Sequence, residues 1–111
     1  MTKHIDVIVP CYNEESSLDR FWKESGEAFS AIEGYEFRYI FIDDGSSDET
    51  LKKIRRLAAL QDPAKADAPG ASAGSAKFTP QISYISFSRN FGKEAAMYAG
   101  MQASKGDFAV I

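Results

Sequence analysis

Three short polar loops hold the residues whose types and spacing could do chemistry. The first, Pro10-Cys11-Tyr12-Asn13-Glu14-Glu15, follows a β-branched run and carries an aromatic ring and carboxylates at its tip. Tyr12 offers a flat face for stacking a ring, and Glu14 can accept from hydroxyls. The local alternative is that Asn13 caps the next helix while Glu14 and Glu15 feed its dipole. The second loop, Asp43-Asp44-Gly45-Ser46-Ser47-Asp48, opens on two adjacent acids at the end of an apolar run. Turn and cap chemistry accounts for Gly45, Ser46 and Asp48, but not for an acid pair that is costly to desolvate without partners. Acceptance of base and ribose donors accounts for the pair better. The third loop, Ser88-Arg89-Asn90-Phe91-Gly92-Lys93-Glu94, sets two cations at a helix start, where they oppose the helix dipole. An anion such as a diphosphate would explain them, helped by free backbone N–H groups. The alternative is an ion pair with Glu94 or with the acidic loop.

Other chemistries have little support. Cys11 and His4 are the lone cysteine and histidine, which excludes a disulfide framework and a Cys/His zinc site. His4 lies at the far end of the strand from Cys11, so a Cys–His nucleophile is not expected, and Cys11 reads as a small buried residue. Gly92-Lys93 is not a phosphate-binding P-loop, because no glycine stands five residues earlier, and no Gly-x-Gly-x-x-Gly occurs. No run of 18 apolar residues spans a membrane, and the start lacks the apolar core of a signal peptide. A reducing, cytosolic setting is expected.

The elements that must position these loops follow from periodicity. Ile5–Val9 reads as a buried strand closed by Pro10. Ser16–Ile32 has Leu18, Phe21, Trp22, Phe29 and Ile32 at helical spacing, and Gly34 ends it. Phe37–Ile42 is a second strand. Ser46 and Glu49 form a capping-box signature before a helix faced by Leu51, Ile54, Leu57 and Ala58. Asp62–Pro80 breaks the pattern: 13 of its 19 residues are Ala, Gly, Ser or Pro, and it reads as a mobile insertion within the domain. Ile82–Phe87 is a third strand. Lys93–Ser104 is a third helix with Ala96, Ala99, Gly100 and Ala103 on one face, and Gly106 reads as its C-cap. Asp107–Ile111 begins a fourth strand, and a chain stopping there is expected of part of a longer protein.

Alternation of strands and helices predicts an α/β fold with a mostly parallel sheet. Ligands in such sheets bind beyond the carboxyl ends of the strands, where all three polar loops fall. The 111 residues sum to a net charge of −3, which excludes a nucleic-acid binder relying on bulk basicity. Residues 1–50 carry 4 Lys/Arg against 12 Asp/Glu (net −8), and residues 51–111 carry 9 against 4 (net +5). The acidic half thus supplies the first two loops and the basic half the third. Lys52, Lys53, Arg55 and Arg56 read as a solvated helix face.

Val7-Ile8-Val9-Pro10-Cys11-Tyr12-Asn13-Glu14-Glu15, Phe41-Ile42-Asp43-Asp44-Gly45-Ser46-Ser47-Asp48 and Ser88-Arg89-Asn90-Phe91-Gly92-Lys93-Glu94, in that order, resemble the family 2 inverting glycosyltransferases of GT-A fold. The third loop and Gly106-Asp107 are most similar to the polyprenyl-phosphate branch, of the dolichol-phosphate mannosyltransferase and bactoprenol glucosyltransferase type. The likeness covers the chain except Asp62–Pro80. It implies a three-layer, Rossmann-like nucleotide-diphospho-sugar transferase fold, with residues 1–111 as its N-terminal, nucleotide-sugar-binding part, truncated in the fourth strand. It implies transfer of a sugar, with inversion, from a nucleotide diphosphate sugar (a UDP-sugar) to a polyprenyl phosphate. Pro10, Cys11, Tyr12, Glu14, Asp43 and Asp44 would line the nucleotide pocket, with Asp44 on the base edge and Asp43 supporting the loop. Arg89 and Lys93 would face the diphosphate or acceptor phosphate. Mg2+ or Mn2+ is implied for the full-length protein, with ligands beyond Ile111 and none within the chain, so turnover by these residues alone is not expected. The implied location is the inner face of the cytoplasmic membrane, reached through a C-terminal part. Rival readings are a family member acting on a glycan or cell-envelope acceptor, a nucleotide-binding pseudoenzyme, and a receiver-type signalling domain. The last is disfavoured because no acid after Asp44 ends a predicted strand.

Overall fold

The computed structural model describes residues 3–60 and 80–110. They form β1 (Lys3–Cys11), α1 (Glu15–Ser30), β2 (Tyr35–Asp43), α2 (Thr50–Leu60), β3 (Gln81–Ser86), α3 (Lys93–Ala103) and β4 (Phe108–Val110). Every strand pairing is parallel, and the sheet order is β3-β2-β1-β4. The chain thus steps outward from β1 to β3, then returns to pair β4 on the other side of β1. This reversal is where doubly wound sheets open a crevice beyond their strand ends. The α/β, mostly parallel architecture expected from the pattern is present, with a short fourth strand. Apart from Pro80, the Asp62–Pro80 insertion lies outside the described residues.

Alternation along the strands builds both faces. Val7, Cys11, Phe37, Tyr39 and Phe41 face one way, where Leu18 and Ile54 are buried and Phe21, Trp22, Phe29 and Leu57 pack against them. Ile8, Ile40 and Ile42 face the other way, against Ala96, Ala103, Ile85 and Phe87. Helices therefore cover both sides, α1 and α2 on one and α3 on the other. The central strands read as continuous apolar runs for that reason. The small face of α3 serves close approach: a Cβ on Gly100 would lie 2.8 Å from Ile42 Cδ1 and collide with the Ile8 side chain.

Three local expectations are corrected. Strand β1 continues through Pro10 to Cys11, since its register with β2 holds to Cys11↔Asp43, and the described rungs with β4 run from Ile5 to Val7, short of the proline. Ser46 does not cap α2: its hydroxyl accepts the Asn13 amide, and Asp48 Oδ1 accepts the Thr50 amide at 2.9 Å instead. Gly106 is not the C-cap of α3, a place taken by Ser104 in extended conformation. A glycine is needed at 106 for closeness, because a Cβ there would lie 2.9 Å from the His4 carbonyl.

The amino-terminal end of the sheet is fastened by Asp6, an acid within the apolar run of β1. Its buried carboxylate accepts from Arg38 (3.2 and 3.3 Å), Ser104 Oγ (2.7 Å) and the amides of Lys105 (2.7 Å) and Gly106 (2.8 Å). Burial alone would raise this carboxyl, but the bonds from Ser104, Gly106, Lys105 and Arg38 outweigh it and hold the carboxyl below its ordinary 3.8. A carboxyl depressed in the folded state adds stability above its unfolded value, and that contribution fades as pH falls through the folded value. Stability is therefore expected to drop below about pH 4. Asp6→Asn should start lower at neutral pH, by roughly 3 kcal/mol, because Arg38 loses its charged partner. It should then decline less steeply on acidification. Urea midpoints measured from neutral pH into acid check this, and parallel curves for the two proteins would contradict it.

Candidate functional site

The carboxyl ends of β1, β2 and β3 bring the three polar loops together. Backbone bonds set their heights: the Asp44 amide donates to the Cys11 carbonyl at 2.8 Å, and the Phe87 amide to the Asp43 carbonyl at 2.9 Å. Side chains then lace the loops to one another.

The first loop is bound to the second through Asn13. Its φ of +53° is a left-handed conformation that asparagine tolerates better than most residues. The Asn13 amide donates to Ser46 Oγ at 2.9 Å, and Asn13 Oδ1 accepts from the Ser47 amide at 2.8 Å. Asn13 therefore does not cap α1. Two further amides of this loop reach the start of α2: Glu14 donates to Thr50 Oγ1 (2.8 Å) and Glu15 to Asp48 Oδ2 (3.3 Å). Lys53, read from sequence as part of a solvated face, instead ties the helices by donating to the Glu15 carbonyl (2.8 Å) and Asp19 (2.7 Å).

The second loop is bound to the third through Asp44. Its carboxylate is buried, with Oδ1 accepting the Phe91 amide at 2.8 Å and Oδ2 accepting the Gly92 amide and Asn90 Nδ2, both at 3.0 Å. Asn90 Nδ2 also donates to the Asp44 carbonyl at 3.1 Å. Gly45, at φ +72°, lies directly against the backbone of Arg89 and Asn90. The adjacent acids thus face different environments. Asp44 is saturated by the third loop, whereas Asp43 Oδ1 is buried without a hydrogen-bond partner among the described residues.

The remaining candidates fall around this frame. Tyr12 is 48% exposed at the tip of the first loop, with its ring free to stack. The Glu14 carboxylate accepts Ser17 Oγ at 2.8 Å and stays exposed. Pro10 is half-buried at the strand end. The Cys11 thiol is buried and pushed up to about 12, by desolvation first and then by the charges of Glu14 and Asp43. It therefore stays protonated, and the expectation of a packing residue rather than a nucleophile agrees with that. Arg89 rests its guanidinium 4.8 Å from the Phe91 ring centre, and Phe91 meets Phe87 edge-on at 5.6 Å. Lys93 is the first residue of α3, whose N-cap Gly92 makes no side-chain cap bond. Among the described residues neither Arg89 nor Lys93 has a carboxylate within ion-pair distance, so the pairing alternative from sequence is not seen.

Sequence reasoning missed Asn13 as a bridge, Thr50 and Asn90. Each acts on a residue more than 30 positions away. The one sequence signal for Asn90 was its place between two unexplained cations.

The arrangement offers acceptors and an aromatic face on one side and, on the other, two cations at the start of α3 that have no carboxylate partner among the described residues. That combination suits a nucleotide bound through its ring, hydroxyls and phosphates. The sequence model described as glycosyl transferase family 2 matches residues 6–111. A prophage bactoprenol glucosyl transferase homolog of Escherichia coli (strain K12) is 35% identical over 103 residues, covering 93% of this chain and 28% of that protein. The bactoprenol glucosyl transferase of Shigella phage SfV is 34% identical over 106 residues, 96% of this chain and 28% of its own. An undecaprenyl-phosphate 4-deoxy-4-formamido-L-arabinose transferase of Pseudomonas fluorescens is 27% identical over 106 residues, 96% of this chain and 26% of its own. The chain spans little more than a quarter of the length of these curated relatives.

Proposed function

The chain belongs to glycosyl transferase family 2, and from that premise we propose that the whole protein moves a sugar from a UDP-sugar to a polyprenyl phosphate with inversion. In this reading residues 1–111 are the nucleotide-side part of the transferase domain, and residues 62–80 are an insertion within it. One observation carries the reading: three loops from successive strands are hydrogen-bonded into a single site, acidic and aromatic on one side and cationic on the other. The acceptor class follows the relatives, several of which are named for bactoprenol or undecaprenyl phosphate.

Tyr12 stacks the base, Pro10 and Cys11 shape the floor beneath it, and Glu14 accepts from ribose hydroxyls. Asp43 and Asp44 complete the nucleotide side at the end of β2. Arg89 and Lys93 meet the phosphates. An acceptor phosphate oxygen then attacks the anomeric carbon from the face opposite the diphosphate. The new C–O bond forms as the bond to the β-phosphate oxygen breaks, and the electron pair leaves with UDP. Cations beside the departing diphosphate stabilise the charge that develops there. A phosphate nucleophile needs no general base, in keeping with His4 lying at the opposite end of β1 and Cys11 staying protonated.

The family implies a divalent cation. No group of three or more His, Cys, Asp or Glu among the described residues is placed to hold one, and Asp44 is committed to the third loop. These residues do not fit a metal site, and no step here passes through a metal; Mg2+ or Mn2+ would need carboxylates from elsewhere in the whole protein. No described helix is long and apolar enough to cross a membrane. A lipid acceptor would nevertheless bring this site to the inner face of the cytoplasmic membrane. Incubating the intact protein with radiolabelled UDP-glucose and undecaprenyl phosphate in detergent tests the proposal. Label should pass into the organic phase. Label that stays aqueous with UDP-glucose, and with the other common UDP-hexoses in turn, would overturn it.

A further inference from the structure

We infer that Asn13 is a positioning residue: it fixes Tyr12 and Glu14 relative to the acids at the end of β2, and so decides how tightly the nucleoside half of the donor is held. The inference rests on the nucleotide-sugar reading of the same site. Pairing between β1 and β2 ends at Cys11↔Asp43, so Tyr12 is the first residue past the paired strand. Its exposed side chain makes no hydrogen bond among the described residues, and the ring therefore goes where its backbone sends it. Asn13 is the next fixed point. Its amide donates to Ser46 Oγ at 2.9 Å, and its Oδ1 accepts the Ser47 amide at 2.8 Å. Ser46 and Ser47 follow Asp44 closely, so the peptide that carries Tyr12 is tied to the peptide that carries the acids. Neither bond touches the clamp that Asp44 makes on the third loop. Asparagine suits this place for two reasons that can be separated. A φ of +53° favours Asn, Asp and Gly, and the short side chain brings an acceptor to Ser47. Both bonds given for the side chain end on Oδ1, from the Ser47 amide and from Ser47 Oγ at 3.4 Å, so aspartate would keep them and glycine would lose them. Asn13 is itself exposed, so these bonds do little for the core and act mainly on the loop. A loop already held in its bound shape has less ordering to offset when a ligand arrives.

Calorimetry with uridine and UDP on the intact protein tests this. Asn13→Gly keeps the backbone conformation and loses the acceptor, so it should lower both affinities by the same factor, about three- to tenfold, the loss expected for a neutral hydrogen bond. Its thermal midpoint should stay within about 3 °C of wild type. Asn13→Asp restores the acceptor and should bring uridine affinity back to within about twofold of wild type. Uridine is the probe for that comparison because it is neutral and does not feel the added charge. Ser46→Ala removes the acceptor of the Asn13 amide and should weaken uridine by about threefold. If glycine lowers the thermal midpoint further, the aspartate and Ser46→Ala variants decide the matter. Unchanged uridine affinity in Asn13→Gly and Ser46→Ala, a loss confined to UDP, or an aspartate variant as weak as the glycine one would overturn the positioning role while leaving the nucleotide-sugar reading in place. Binding of neither ligand by wild type would overturn both.

Discussion

Replacing Gly45 with alanine should unfold the site and take much of the fold's stability with it. The loss expected is about 3–5 kcal/mol, the sum of a left-handed backbone forced on a residue with a Cβ and an overpacked contact. The added atom would sit inside the space of the Arg89 carbonyl carbon, with the Asn90 amide nitrogen and the Arg89 carbonyl oxygen around it. All three are backbone, so no side-chain rotation relieves the clash. Either the second loop leaves its +72° conformation or the third loop is pushed off. Both movements break the Asp44 clamp. Urea unfolding measures the loss, and UDP titration should show no binding where wild type binds. A loss under about 1 kcal/mol would mean that the two loops are not packed as described.

Asp44→Ala should be nearly as severe, for a different reason. It removes the acceptor of three hydrogen bonds at once and leaves the amides of Phe91 and Gly92 without partners. Amides left without partners and the loss of a buried anion together cost roughly 3 kcal/mol. The loop carrying Arg89 and Lys93 would be released, and UDP binding should become undetectable. Asp44→Asn separates charge from shape. One of its two positions must present an NH2 group to a donor, so it should resemble Asp44→Ala rather than wild type. Wild-type UDP affinity in the asparagine variant would contradict the clamp.

The fold was legible because its signals are local. Runs such as Phe37–Ile42 and helical stripes such as Leu18, Phe21, Trp22 and Phe29 declare themselves within a few residues, and β2 and α1 lie where those runs are. Even so, the strand ends extended further than hydrophobicity indicates, since register, not side-chain type, decides where pairing stops. The candidate loops were legible too, because acids at a strand end and cations at a helix start are locally unfavourable and call for a partner. What the sequence could not give was who the partners are. Asp44 also accepts donors from residues 90–92, and Asp43 Oδ1 has no hydrogen-bond partner among the described residues. Asn13 and Ser46 each looked like a helix cap and instead hold each other. Asp6, within an apolar strand, gave no periodic signal, although its carboxylate joins β1 to Arg38 and to the α3–β4 connection.

Crystals of the intact protein grown with UDP and Mn2+ test most directly whether the three loops form one nucleotide-diphosphate site. The uracil ring should lie on Tyr12 at the end of β1, with the diphosphate within hydrogen-bonding reach of Arg89 or Lys93. UDP bound away from the carboxyl ends of the strands, or turned so that its phosphates avoid the loop between β3 and α3, would contradict it.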